Sequence, residues 1–177
     1  MFPKAHAVAY VTMAFRIAWF KVNYPMEFYC AYFTVRADEF DAELMAMGRD
    51  NAIESMKMLE NKEREKLATD KDKNSMTILE VAIEMYSRGI NFLPIDLEKS
   101  DAYRFIPTKE GIRPPLNAIA GLGTNAAKSI VEAREQAPFA TVEDFTKRAK
   151  VTKTIVEIMR SRGMFGNLPE SDQITFF

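Results

Sequence analysis

Cysteine and histidine are almost missing from this 177-residue chain, in which Cys30 and His6 stand alone. A single cysteine excludes an intramolecular disulfide, and a single histidine leaves too few nitrogen and sulfur ligands for a structural zinc site. Net charge is nearly absent too, at -1. The balance is local rather than uniform: residues 1–36 carry Lys4, Arg16, Lys21 and Arg36 against Glu27, whereas residues 37–75 are acid-rich. No apolar run is both long and uncharged. The stretch 7–22 contains Arg16, is short for a bilayer and has no small-residue cleavage site behind it, so it reads as a buried helix and not as a membrane span or signal peptide. These absences suit a cytoplasmic protein without a transition metal and without a membrane partner. The length allows one ordinary domain or two small ones.

What is present is mostly helical pattern. Pro3 suits a first helical position ahead of an almost wholly apolar segment that runs to Lys21 and ends at Asn23-Tyr24-Pro25. A helix with so little polar face needs cover on most sides. Met1 leads into it without a lead-in segment, and from that abrupt start we expect a truncation. Met26 to Thr34 forms a second apolar helix, and Val35 to Asp41 a turn. From Ala42 to Lys73 a charged helical pattern carries Met45, Ile53, Met56 and Leu59 as its apolar stripe, with Asn61 to Ser75 expected as a solvated helix end and loop. Thr77 to Ser87 is a further helix, in which Ile78, Val81, Ala82 and Met85 share a face and Gly89 is the cap. Ile90 to Leu97, with Pro94, fits an edge strand whose partner is Tyr103 to Pro107. Helices are then expected up to Ala120, over Thr124 to Gln136, from Thr141 to Arg148 and from Thr152 to Arg162.

The first constellation with chemical content is LNAIAGLGTNAAK over 116–128. Gly121 and Gly123 around Leu122 let the chain turn tightly between two helices, leaving amide hydrogens at the second N-terminus, from Thr124, to meet a phosphate. Lys128 adds charge one turn on. This is the hairpin of a helix-hairpin-helix motif, which holds a nucleic-acid backbone without reading bases. A lone Gly-x-Gly is more often a plain helical corner; the apolar residue between the glycines, the small residues behind them and FATVEDF at 139–145 raise the DNA-binding reading above it. A degenerate second copy lies around residues 151–159, where Lys150 and Lys153 flank a turn without glycines. Basic residues outnumber acidic ones between Gly121 and Gly163, in keeping with salt-sensitive contact to duplex DNA.

Two further groups stand at the ends. Lys4 and His6 would add cations to the positive end of a helix dipole, with Tyr10 four residues beyond His6 on the same face, an arrangement suited to a polyphosphate. Ordinary burial is the commoner fate of a single histidine on an apolar helix. At the other end, Gln173, Ile174, Thr175, Phe176 and Phe177 follow a polar leader, as in a peptide captured in a groove, although a tail folded back on its own domain has the same composition.

Taken together, FPKAHAVAY at 2–10, YFTVRA at 32–37, AIAGLG at 118–123 and GNLPESDQ at 166–173 closely resemble the C-terminal part of the PolC-type DNA polymerase III family of low-GC Gram-positive bacteria. The resemblance covers essentially the whole chain. It implies a mainly α fold with a small β element: the helical end of a fingers domain over 1–89, a connecting β element over 90–113, a tandem helix-hairpin-helix domain over 114–165 and a flexible tail over 166–177. It implies that the parent enzyme is a DNA-directed DNA polymerase with a 3'-5' exonuclease elsewhere, using Mg2+ held by palm aspartates that this chain does not contain, so that the chain alone is inactive and binds no cofactor. By position, Phe2, Lys4, His6 and Tyr10 would serve the incoming dNTP. Gly121, Leu122, Gly123, Thr124, Lys128, Lys150 and Lys153 would touch the primer-template duplex. Gln173, Ile174, Phe176 and Phe177 would dock in the sliding clamp, with Ile174 and Phe176 standing where the family has leucines. A stand-alone helix-hairpin-helix accessory or repair protein is the alternative, and a helical protein-interaction module the plainest one.

Overall fold

The structure, a computed structural model, describes residues 3–171. Pro3 opens α1 (Lys4–Asn23), and the Asn23 amide folds back to the Trp19 carbonyl at 2.8 Å to close it. Pro25 then starts α2 (Pro25–Val35) in the position where its missing N–H costs nothing. A 3-10 turn at Ala37–Glu39 leads into the short α3 (Ala42–Met45), whose N-cap Asp41 accepts from the Glu43 and Leu44 amides. Gly48, at φ 101, separates it from α4 (Arg49–Arg64). The buried Tyr86 hydroxyl fastens that break: it accepts from the Gly48 amide and donates to the Met45 carbonyl at 2.8 Å. Burial pushes the Tyr86 phenol up to about 12.

Of the stretch 61–75, expected as a solvated helix end and loop, residues 61–69 are the end of α4 and a loop, whereas residues 70–75 instead begin α5 (Asp70–Ser87). Thr69 and Asp72 form a capping box, each side chain taking the other's backbone amide, and this signal begins the helix seven residues ahead of Thr77. The expected strand over Ile90 to Leu97 is also corrected. Only Phe92 bridges, to Ile112, while β1 (Ile106–Pro107) pairs antiparallel with β2 (Ile112–Arg113). Pro94 has no N–H to give a ladder, and Asp96 turns the chain by accepting the Glu98 and Lys99 amides. After a 3-10 turn at Leu116–Ala118 come α6 (Thr124–Gln136), α7 (Val142–Ala149) and α8 (Lys153–Ser161).

Two apolar cores result. One gathers Tyr29, Phe33, Met45, Leu59, Ile78 and Met85 with an aromatic knot in which Phe33 meets Phe92 at 5.0 Å and Phe40 meets Phe105 at 4.8 Å. The other gathers Leu116, Ile119, Leu122, Ile130, Phe145 and Met159. Ile95 packs against both. The burial expected for residues 7–22 is not met within this chain. They form α1, yet none of its side chains is buried, and Phe15 is 72% exposed. The last turn of α1 is fastened to the body through the Lys21–Glu84 ion pair and the Arg88 guanidinium on the Lys21 carbonyl. Among the described residues, no helix is long and apolar enough to cross a membrane.

Candidate nucleic-acid interface

The glycine turn joins the 3-10 turn of Leu116–Ala118 to α6. Gly121 adopts φ +83, a region closed to most side chains, and this reverses the chain. Leu122 then dives into the core at 3% exposure, its amide bonded to the Ile119 carbonyl at 3.0 Å. Gly123 (φ -67, ψ 157) is the N-cap of α6 and offers no side chain to the first-turn amides. The start of α6 thus presents N–H groups that no cap satisfies, at the positive end of its dipole. Lys128 lies one turn along, its ammonium 5.4 Å from the Tyr103 ring centroid.

The turn from α7 to α8 repeats this path without glycines. Lys150 takes the left-handed conformation (φ 53, ψ 37) in the role of Gly121, Val151 is buried in the role of Leu122, and Thr152 (φ -75, ψ 156) matches the Gly123 dihedrals. The two turns also meet: a Cβ on Gly121 would lie 3.5 Å from Ile155 Cδ1 on α8. The second turn differs in one respect, since the Thr152 hydroxyl accepts from the Ile155 amide and caps α8. Lys150 and Lys153 are exposed on either side of it.

The cations sort into two groups. Arg134 donates to the Leu97 carbonyl, Arg148 to the carbonyls of Ala133, Ala137 and Pro138, Arg160 to Glu170, and Arg162 to Glu43. These arginines fasten the fold. Among the described residues, Lys128, Lys150 and Lys153 have no ion-pair partner.

A feature the sequence did not announce faces the first hairpin. A cavity of about 430 Å³ is lined by Gly121, Leu122, Gly123 and Thr124 on one side, and by Asp38, Glu39, Asp41 and Glu43 on the other, with Lys71 and Arg162. Asn117 Nδ2 donates to Thr124 Oγ1 at 3.2 Å, and Thr124 Oγ1 donates to Asp38 Oδ1 at 3.4 Å. An anion reaching the hairpin from this side meets a negative wall. The acid-rich composition of residues 37–75 was visible, but not its position opposite the glycines.

Lys4, His6 and Tyr10 lie exposed in the first two turns of α1, and the His6 and Tyr10 rings meet edge to face at 4.5 Å. Phe2, and Gln173, Ile174, Phe176 and Phe177, lie outside the described residues. Among the described residues, no three His, Cys, Asp or Glu side chains converge as a metal site needs.

Residues 89–173 match the helix-hairpin-helix motif family. The whole chain aligns with curated relatives named DNA polymerase III PolC-type: it is 51% identical over 177 residues to that of Caldanaerobacter subterraneus subsp. tengcongensis and 50% identical over 177 residues to that of Listeria monocytogenes, covering 12% of each. It is 48% identical over 180 residues to that of Thermotoga maritima, covering 13% of it. The chain therefore spans about an eighth of the length of the curated relatives it matches. With every residue aligned at about half identity and the hairpins in place, the chain matches one segment of the proteins named DNA polymerase III PolC-type.

Proposed function

We propose that this chain is the duplex-holding segment of a replicative DNA-directed DNA polymerase. The observation that carries the reading is the pair of matched turns, Gly121-Leu122-Gly123 and Lys150-Val151-Thr152, each leading into a helix N-terminus with exposed lysines nearby. Such a surface takes phosphates in a sequence-independent way, through amide hydrogens at α6 and through Lys128, Lys150 and Lys153. That is what an enzyme moving along DNA requires.

Nucleotidyl transfer with Mg2+, and any exonuclease, belong in this reading to the remainder of the polymerase, and the segment by itself makes no DNA. The bare apolar flank of α1 is covered by that remainder, which brings Lys4, His6 and Tyr10, with Phe2, toward the incoming dNTP. Gln173, Ile174, Phe176 and Phe177 reach the sliding clamp, and the setting is the cytoplasm.

A salt titration of duplex binding tests the central point. The expected result is binding at low salt that weakens linearly in log–log form as salt rises. No binding, or binding indifferent to salt, overturns it. For the tail, deletion of residues 173–177 is expected to abolish capture by the clamp and to leave duplex binding intact.

A further inference from the structure

Tyr103 stands at the junction between the connecting segment and α6, and two cations converge on its ring. Arg104 Cζ lies 5.2 Å from the centroid and Lys128 Nζ 5.4 Å from it. Arg104 Nε also donates to the Tyr103 hydroxyl at 3.1 Å, which fixes the plane of the guanidinium while leaving both Nη groups to an acceptor from outside. The nearest acid in sequence is engaged elsewhere, because Asp101 Oδ1 accepts the backbone amides of Tyr103 and Arg104. Like charges gathered on one half-buried ring repel one another. An arrangement of this kind is improved by an anion placed between them.

We propose that Arg104 and Lys128, held together by Tyr103, take a backbone phosphate of duplex DNA next to the one received by the first hairpin. The inference rests on the duplex-holding reading above and extends it to two residues, Tyr103 and Arg104, outside the hairpin. Lys128 is one helical turn, about 6 Å, beyond Thr124, so the two contacts follow one strand in succession. Arginine supplies the flat, two-pronged donor that a phosphate accepts most strongly, and its ring support lowers the ordering needed on binding. The contrast with Arg134, Arg148, Arg160 and Arg162, whose donors are engaged within the fold, singles out Arg104 as an arginine with free donors beside the hairpin.

The experiment is a salt series of fluorescence anisotropy with a labelled random-sequence duplex and the 177-residue chain. Arg104→Gln is expected to weaken binding several-fold at low salt and to make the log–log salt slope shallower by about one. Arg104→Lys should retain the slope and lose part of the affinity, because the charge remains and the fork does not. Arg104 is exposed, so circular dichroism should show both variants folded like the parent. A parental slope in Arg104→Gln, with binding still sensitive to Gly121→Val, overturns this inference and leaves the hairpin reading standing. Absence of salt-dependent binding in the parent chain overturns both.

Discussion

Thr124 Oγ1 donates to Asp38 Oδ1 across 3.4 Å, so the first residue of α6 is tied to the turn that follows α2. The carboxylate therefore sits where the hairpin presents its positive helix end, and it competes with any phosphate arriving there. Asp38→Asn keeps an acceptor for the hydroxyl and removes the charge. We expect duplex affinity to rise a few-fold at low salt and the gain to fade toward high salt, as screening predicts. Unchanged or weaker binding would mean that phosphates approach the hairpin from a side that Asp38 does not face.

The matched turns lead to a stability prediction with opposite signs. Gly121 at φ +83 has ordinary contact distance to spare, 3.5 Å to Ile155 Cδ1, so Gly121→Ala costs mainly backbone strain, about 1–2 kcal/mol. Lys150 already bears a side chain in the left-handed region at φ 53. Lys150→Gly should be neutral or slightly stabilising in urea unfolding, whereas Lys150→Val, with its branched Cβ, should destabilise.

The difference between the two turns also shows what the sequence could say. Gly121 announces a hairpin because glycine is the residue that makes the turn without strain, whereas Lys150 forms the same turn under strain and leaves only a faint pattern. The capping box of Thr69 and Asp72 is a legible start signal, and it makes the first six residues of α5, which fall in the expected loop, helical. Ile90 to Leu97 has strand-like alternation, but Pro94 and the Asp96 turn break it. The apolar run in α1 identified a helix correctly, while its lack of cover within the chain is a tertiary fact that no periodicity carries. The Asp38–Thr124 contact joins positions 86 apart, and the Arg104–Tyr103–Lys128 group depends on how the connecting segment lies against α6.

Arg148 is one of the basic residues between Gly121 and Gly163, but its guanidinium is turned to the C-terminal end of α6. It bonds the Ala133 carbonyl, the Ala137 carbonyl at 2.8 Å and the Pro138 carbonyl at 3.2 Å, and lies 4.9 Å from the Phe139 ring. The Ala137 and Pro138 carbonyls beyond the last turn depend on it, and the Ala133 carbonyl, which also accepts the Ala137 amide, takes a second bond from it. Arg148→Ala should cost about 2–3 kcal/mol by urea unfolding, and Arg148→Lys should recover only part of that, since an ammonium cannot span the three acceptors. Under conditions where the variant is folded, its duplex affinity should match the parent's. A selective loss of DNA binding without a loss of stability would return Arg148 to the interface.

The fastening of α1 supplies a pH prediction. Burial acts to raise the Glu84 carboxyl, but the hydrogen bond and charge of Lys21, joined by those of Arg88, outweigh it and hold the group below its ordinary value of 4.5. A depressed native value means that the folded state favours the ionised form. The stabilisation is therefore complete at neutral pH and is lost as pH falls below 4.5 through the native value. Glu84 is about one-third exposed, so water screens the pair and its worth is under ~1 kcal/mol, enough to loosen one helix end but not to unfold the body. Trp19, the chain's one tryptophan, sits on α1 two residues before Lys21 and reports that loosening. Its fluorescence anisotropy should drop between neutral pH and pH values below 4.5 before the far-ultraviolet circular dichroism changes. Glu84→Gln should show the lowered anisotropy already at neutral pH. If Trp19 anisotropy instead follows global unfolding at every pH, and is parental in Glu84→Gln, the Lys21–Glu84 pair does not hold α1 to the body.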